Sequence, residues 1–171
     1  MKFFFSSLVS FFLFIVSLQA DESIRFININ YIVNNSEAGV SLNKIIENKT
    51  KKMESDLKDL AKKIEDKKNK IVSQKNILKE DELDRLVKDY EKEVKIFNEL
   101  RNRKRTDFDN FRIQSKKKIL DLLNPIITNF LQGNSIKILL QKEKIIFGND
   151  DLDITGKILE LFNDKHKKIK F

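Results

Sequence analysis

The sequence contains no cysteine and no tryptophan, and only one proline, one histidine and four glycines in 171 residues. Without cysteine there is no disulfide to staple a small domain, no thiolate to act as nucleophile or zinc ligand, and no thiol to carry a lipid. The glycines, at positions 39, 133, 148 and 156, are isolated, so no glycine-rich loop can cradle a phosphate. His166 stands alone near the end of the chain, without the clustered ligands a metal needs. Acidic pairs recur, but helical charge patterning accounts for them. These absences point to a protein with no catalytic set and no cofactor. Scarce glycine and proline also argue against a loop-rich β protein.

What is abundant is charge, 35% of residues, arranged around a narrow apolar stripe. Met53, Leu57, Leu60, Ile64, Ile71 and Leu78 form one seam. Leu83, Val87, Tyr90, Val94, Phe97, Phe108 and Phe111 form a second. Their steps of three, four and seven are those of a helix with one apolar face, near the coiled-coil repeat. So narrow a stripe cannot bury itself, and two seams in tandem can serve each other. Lysines crowd the end of the first seam, and Glu80, Asp81 and Glu82 open the second, as the helix dipole favours. The sequence predicts an antiparallel hairpin over 49–118 with its break between Asn76 and Lys79. One helix of about 55 residues paired between chains is the competing arrangement. Lys67, Gln74, Arg101, Lys104 and Ser115 fall where the repeat expects apolar residues. Either long basic stems cover the seam there, or the hairpin is loose and bendable.

Before the hairpin, residues 1–20 have a basic start at Lys2, an apolar run from Phe3 to Leu18, and a small residue at Ala20 followed by Asp21. That is a secretory signal peptide cleaved between Ala20 and Asp21; as a membrane anchor the run is short and lacks a basic stop. Residues 21–48 and 119–171 then form a β-containing body. Ile24–Asn28 reads as a strand and Asn30–Asn34 as a short helical turn. Ser36 to Gly39 opens the long helix. On the return side Pro125 should kink or restart the helix, and Gly133 sits where a helix C-terminal glycine belongs. Ile136–Leu140 and Lys144–Phe147 read as further strands. Asp153 is placed to cap a last helix from Ile154 to about Asn163, before a frayed basic tail from Asp164 to Phe171. A body this small is marginal alone and leaves open strand edges, which a symmetric homo-oligomer would cover. The fold class is thus α+β: a long antiparallel helical hairpin projecting from a small β body that self-assembles, an assembly that the family resemblance given below makes a trimer.

The charge is localised. Residues 49–118 hold 23 Lys and Arg against 15 Asp and Glu, an excess of 8, and the whole chain, with 34 against 26, has the same excess. The arm therefore carries all of it. Arg101, Arg103, Lys104 and Arg105 form the densest cluster, followed by Lys116, Lys117 and Lys118; these are the candidate contacts to an anionic partner. Export and the absence of a groove-reading motif argue against nucleic acid as that partner.

In order along the chain, Ile24-Arg-Phe-Ile-Asn28, Ser36-Glu-Ala-Gly39, Pro125, Ile136-Lys-Ile-Leu-Leu140, Ile145-Ile-Phe147 and Asp153-Ile-Thr155 resemble the Skp family of OmpH-like periplasmic chaperones. The resemblance implies a homotrimer whose helical arms enclose a cavity. In it, unfolded outer-membrane β-barrel proteins would be held soluble in the periplasm without ATP. The sequence departs from the family in its many Lys, Asn and Phe, its few Ala, and Lys79 where members often place Ser. Two other functions fit the same residues: a structural periplasmic coiled-coil adaptor, and a binder of anionic membrane surfaces through the basic arm, with transient membrane contact.

Overall fold

The computed structural model describes residues 24–171. The expected signal peptide and its Ala20–Asp21 junction lie outside the described residues. The order of elements is β1 (Ile24–Ile27), α1 (Ile29–Asn35), α2 (Glu37–Gln74), α3 (Glu80–Gly133), β2 (Ile138–Gln141) and α4 (Thr155–Lys165), with short 3-10 turns at Lys142–Lys144 and Asp150–Leu152. α2 and α3 form the expected hairpin. At about 1.5 Å per residue, their 38 and 54 residues extend about 57 and 81 Å.

The two strands pair in parallel, Ile24 opposite Ile138 and Ile27 opposite Gln141. Parallel neighbours need a long crossover, and here the whole hairpin is that crossover. The other side of β1 is met by the segment before α4. Phe26 bridges Asp153, and the Ile154 amide donates to the Phe26 carbonyl at 3.0 Å. The third extended segment is therefore around Asp153, and not at Lys144–Phe147 as expected. That stretch begins in a 3-10 turn and leaves Ile146 and Phe147 almost fully exposed.

The core gathers where α1, the start of α2, the end of α3 and α4 meet. Phe162, Ile158, Ile27, Ile32, Leu42, Ile119 and Leu123 are almost completely buried there. Two sequence motifs have direct physical reasons. Ser36 is wholly buried, caps α2, and accepts the Gly39 amide at 3.1 Å. A Cβ at position 39 would lie 1.9 Å from the Val33 carbonyl oxygen, so only glycine lets α1 and α2 approach this closely. In the second motif, Asp153 accepts the Thr155 amide at 2.9 Å, and the Thr155 hydroxyl accepts the Asn28 amide at 2.8 Å. The expected cap is displaced by one residue: α4 begins at Thr155, its N-cap position is Ile154, which makes no side-chain cap bond, and Asp153 reaches the first helical amide from the position before it.

Three further expectations are corrected. α3 runs unbroken past Pro125 to Gly133, so the proline does not restart it. Its missing N–H costs one bond on an exposed turn, and buried Leu123, Ile126 and Ile127 hold both sides of it to the core. The left-handed residue that follows α3 is Ser135, with φ 54°, and not Gly133, which ends the helix itself. The tail is docked. Ile169 and Phe171 pack against the core, and the Lys118 ammonium donates to the Lys170 carbonyl at 2.7 Å.

Candidate functional site: the helical arm

No residue from 43 to 114 is fully buried. Over this length α2 and α3 have only each other, and two cylinders in contact can half-cover only a stripe. The stripe is the predicted one. Met53, Leu57, Leu60, Ile64, Ile71 and Leu78 are half-buried on α2 and in the turn, as are Leu83, Val87, Tyr90, Val94, Phe97, Phe108 and Phe111 on α3. The turn runs between Gln74 and Glu80 and leaves Ile77 exposed.

Three contacts across the arm fix its register. Lys49 lies over the Phe111 ring at 4.6 Å, Asp56 accepts from Lys104 at 2.9 Å, and Lys67 pairs with Glu93. In each pair the residue numbers sum to 160, so the helices run antiparallel without slipping over this length.

These contacts also explain the polar residues in the seam. Lys67 and Lys104 cover the stripe with their stems, as one reading expected, and their ammonium groups reach carboxylates on the opposite helix. The Lys104 hydrogen bond and charge hold the Asp56 carboxyl below its usual range. Ser115 is buried where the arm enters the body. Arg101 leaves the seam altogether. It is exposed, its guanidinium 5.9 Å from the Phe97 ring, and its neighbour Leu100 is half-buried instead. Leu60, Ile64, Phe97 and Leu100 line a shallow apolar cleft at this level.

The candidate anionic-partner contacts do not form one cluster. Lys104 faces inward and is paired, while Arg101, Arg103 and Arg105 are exposed. About three turns further along α3, Lys117 pairs with Asp121 at 2.6 Å, Lys118 contacts the tail, and Lys116 is exposed. Successive residues on a helix are about 100° apart, so Lys116 and Lys118 flank opposite sides of buried Ser115 and Ile119. The sequence reading missed the acids that answer the seam lysines, Asp56 and Glu93. A register with residue numbers summing to a constant would have found both. It also missed the meeting of the tail with α3, for which the alternation of Lys168 and Lys170 with Ile169 and Phe171 is the only signal.

Among the described residues no helix is long and apolar enough to cross a membrane, and no group of His, Cys, Asp and Glu could hold a metal ion. His166 packs against Phe162, with ring centroids 5.3 Å apart.

Residues 23–162 match the family described as Outer membrane protein (OmpH-like). A crystal structure from Caulobacter crescentus, of a protein assigned as an outer membrane chaperone (OmpH-like), has the same fold. The TM-score is 0.80 over 87% of this chain and 88% of that one, at 13% identity. No curated protein sequence matches the chain. With 140 of its 171 residues inside the family match, the chain belongs to the OmpH-like outer membrane protein family.

Proposed function

We propose that the protein is an ATP-independent periplasmic holdase that keeps unfolded outer-membrane β-barrel proteins soluble between basic helical arms. The observation that carries the proposal is the arm: long, projecting, with an excess of positive charge and no fully buried residue between 43 and 114. Such an element stores little stability of its own and offers a large surface of mixed apolar and cationic character. Unfolded barrel strands alternate apolar and polar residues and aggregate in water. Many weak contacts and long-range attraction hold such chains without trapping them. The OmpH-like family membership and the fold shared with a protein assigned as a chaperone support this reading.

The working unit is a homotrimer, exported by a signal peptide cleaved at Ala20–Asp21. The body supports assembly. Ile24, Ile138 and Leu140 are each more than 40% exposed on the sheet, beside the nearly bare Ile146 and Phe147. A two-stranded sheet with such faces is completed by further copies. Light scattering on the processed chain should give three times the monomer mass; a monomer at micromolar concentration would refute the assembly.

The direct test dilutes a urea-unfolded outer-membrane β-barrel protein into the processed chain without ATP and follows turbidity. Suppression near one trimer per client, absent with an unrelated basic coiled coil, is the expected result. Capture should weaken as salt rises, because exposed charges more than about 10 Å apart are screened at 0.1 M. No suppression beyond the control would refute the holdase and favour the adaptor.

A further inference from the structure

Residues 163–171 lie beyond the family match, and the end of this segment fills a seat on the body. Ile169 and Phe171 are half-buried against the core cluster that contains Ile119 and Leu123, while Lys168 and Lys170 are exposed. Alternation with a period of two is that of an extended chain. Lys118, next to Ile119 on α3, marks where the tail passes: its ammonium donates to the Lys170 carbonyl at 2.7 Å. The seat therefore takes two apolar side chains two positions apart and holds the carbonyl between them.

The tail holds this seat weakly. Beyond His166, whose amide closes α4 on the Phe162 carbonyl, the bond from Lys118 is the tail's one hydrogen bond to the rest of the chain among the described residues. Its charge is also a poor match. Residues 164–171 carry four lysines against one aspartate. The cation that holds them, Lys118, has no carboxylate within ion-pair distance among the described residues. An ammonium is served better by a carboxylate than by the neutral carbonyl of a lysine.

We propose that this seat is a docking site for a segment of the unfolded client, and that the tail is its intramolecular stand-in. The proposal deepens the holdase reading and rests on it. The occupant is an extended strand with apolar residues at alternate positions and acidic or neutral polar residues between them, the alternation of an unfolded β-barrel strand. The spacing seen in the tail is that of a strand and not of a helix, whose like-facing residues recur every three or four positions. The charge that the tail lacks is the one that complements Lys118. A short link from the end of α4 at Lys165 presents the tail at an effective concentration of about millimolar. A client already held by the arms is tethered too and competes on similar terms, whereas a free chain does not. The tail thus covers the apolar seat until the arms are loaded.

The chain contains no tryptophan, so Phe171→Trp in the processed full-length chain places a single indole in the seat. Its emission should be blue-shifted from that of the urea-unfolded chain; equal emission would overturn the seat. The probe is a peptide of about ten residues, the length of a barrel strand, alternating isoleucine or phenylalanine with glutamate. Adding it should move the emission toward that of the unfolded chain and saturate. The same peptide with lysine for glutamate should need about fivefold more, and with serine for its apolar residues should do nothing. Equal potency of the three would overturn the assignment to this occupant. Without the reporter, replacing Ile169 and Phe171 together by Ser should tighten binding of the fluorescein-labelled glutamate peptide about tenfold, because the tail no longer fills the seat; unchanged affinity would overturn the exchange. Emission that varies with protein concentration alone would put a second copy's tail in the seat and overturn exchange within one chain. Capture of a tryptophan-free unfolded β-barrel protein with the emission unmoved would overturn the exchange and leave the holdase standing. Displacement by the peptide without suppression of turbidity would support the seat and refute the holdase.

Discussion

The body and the arm are built from the same kinds of side chain under opposite rules of burial. In the body, α1, α4 and the roots of the long helices surround Phe162, Ile158 and Leu123 on all sides. In the arm, leucines and phenylalanines at equally regular spacing reach only half burial, because each helix has one neighbour. A side chain contributes in proportion to the area removed from water. Stability is therefore concentrated in the body, and each apolar residue of the arm contributes less. On the proposed holdase function, a weakly buried arm on a firm body would suit cargo of variable shape.

That contrast can be broken at its strongest point first. Phe162→Ala should cost about 4 kcal/mol in urea unfolding, and a loss below about 1 kcal/mol would mean the body is not the stable part. Gly39→Ala should follow at about 3 kcal/mol, because the added methyl meets the Val33 carbonyl and the backbone must shift. In the arm, Leu60→Ala should cost only about 1 kcal/mol, with amide exchange accelerated between 50 and 114 and unchanged in α4. Uniform exchange along the whole chain would erase the distinction. The smallest effect is in the body and depends on pH. Burial opposes ionisation of the Asp153 carboxyl, but hydrogen bonds from Lys142 and Thr155 prevail and hold it below the usual range. Its contribution is complete above the ordinary carboxylate value and is lost as pH falls through the depressed one. Asp153→Asn, which keeps an acceptor for Thr155 but loses the charge facing Lys142, should cost about 0.5 kcal/mol at neutral pH, and the difference should vanish in strong acid. A constant difference across that range would assign the loss to packing.

The arm was the most legible part of the sequence because its repeat is local. Each seam residue is defined by neighbours three and four positions away, and the acids at Glu80–Glu82 marked the restart. The resemblance carried by Ser36–Gly39 and Asp153–Thr155 was sound, but the reasons for those residues required coordinates. The clash at Gly39 and the bond between Thr155 and Asn28 link elements that no periodicity connects. The errors share one cause. Lys144–Phe147 has the composition of a strand, but within one chain nothing pairs with it, and β1 takes Asp153 instead. The tail looked frayed because a four-residue alternation is weak evidence until an apolar surface is known to lie beneath it. Arg101 obeyed the repeat in sequence and left it in space, because Leu100 beside it could fill the stripe.

The constant sum of 160 across the arm restricts how this protein can change length. β1 and β2 are neighbours only because the hairpin returns the chain to its starting point. Seven residues lost from α2 alone would shift every later pair by two helical turns, about 10 Å, and separate Ile24 from Ile138. The same heptad removed together with its partner near 160 minus its own number would shorten the arm and leave the sheet intact. Arms of different reach are therefore accessible through matched insertions and deletions in the two helices, and any single unmatched change is a body mutation in disguise.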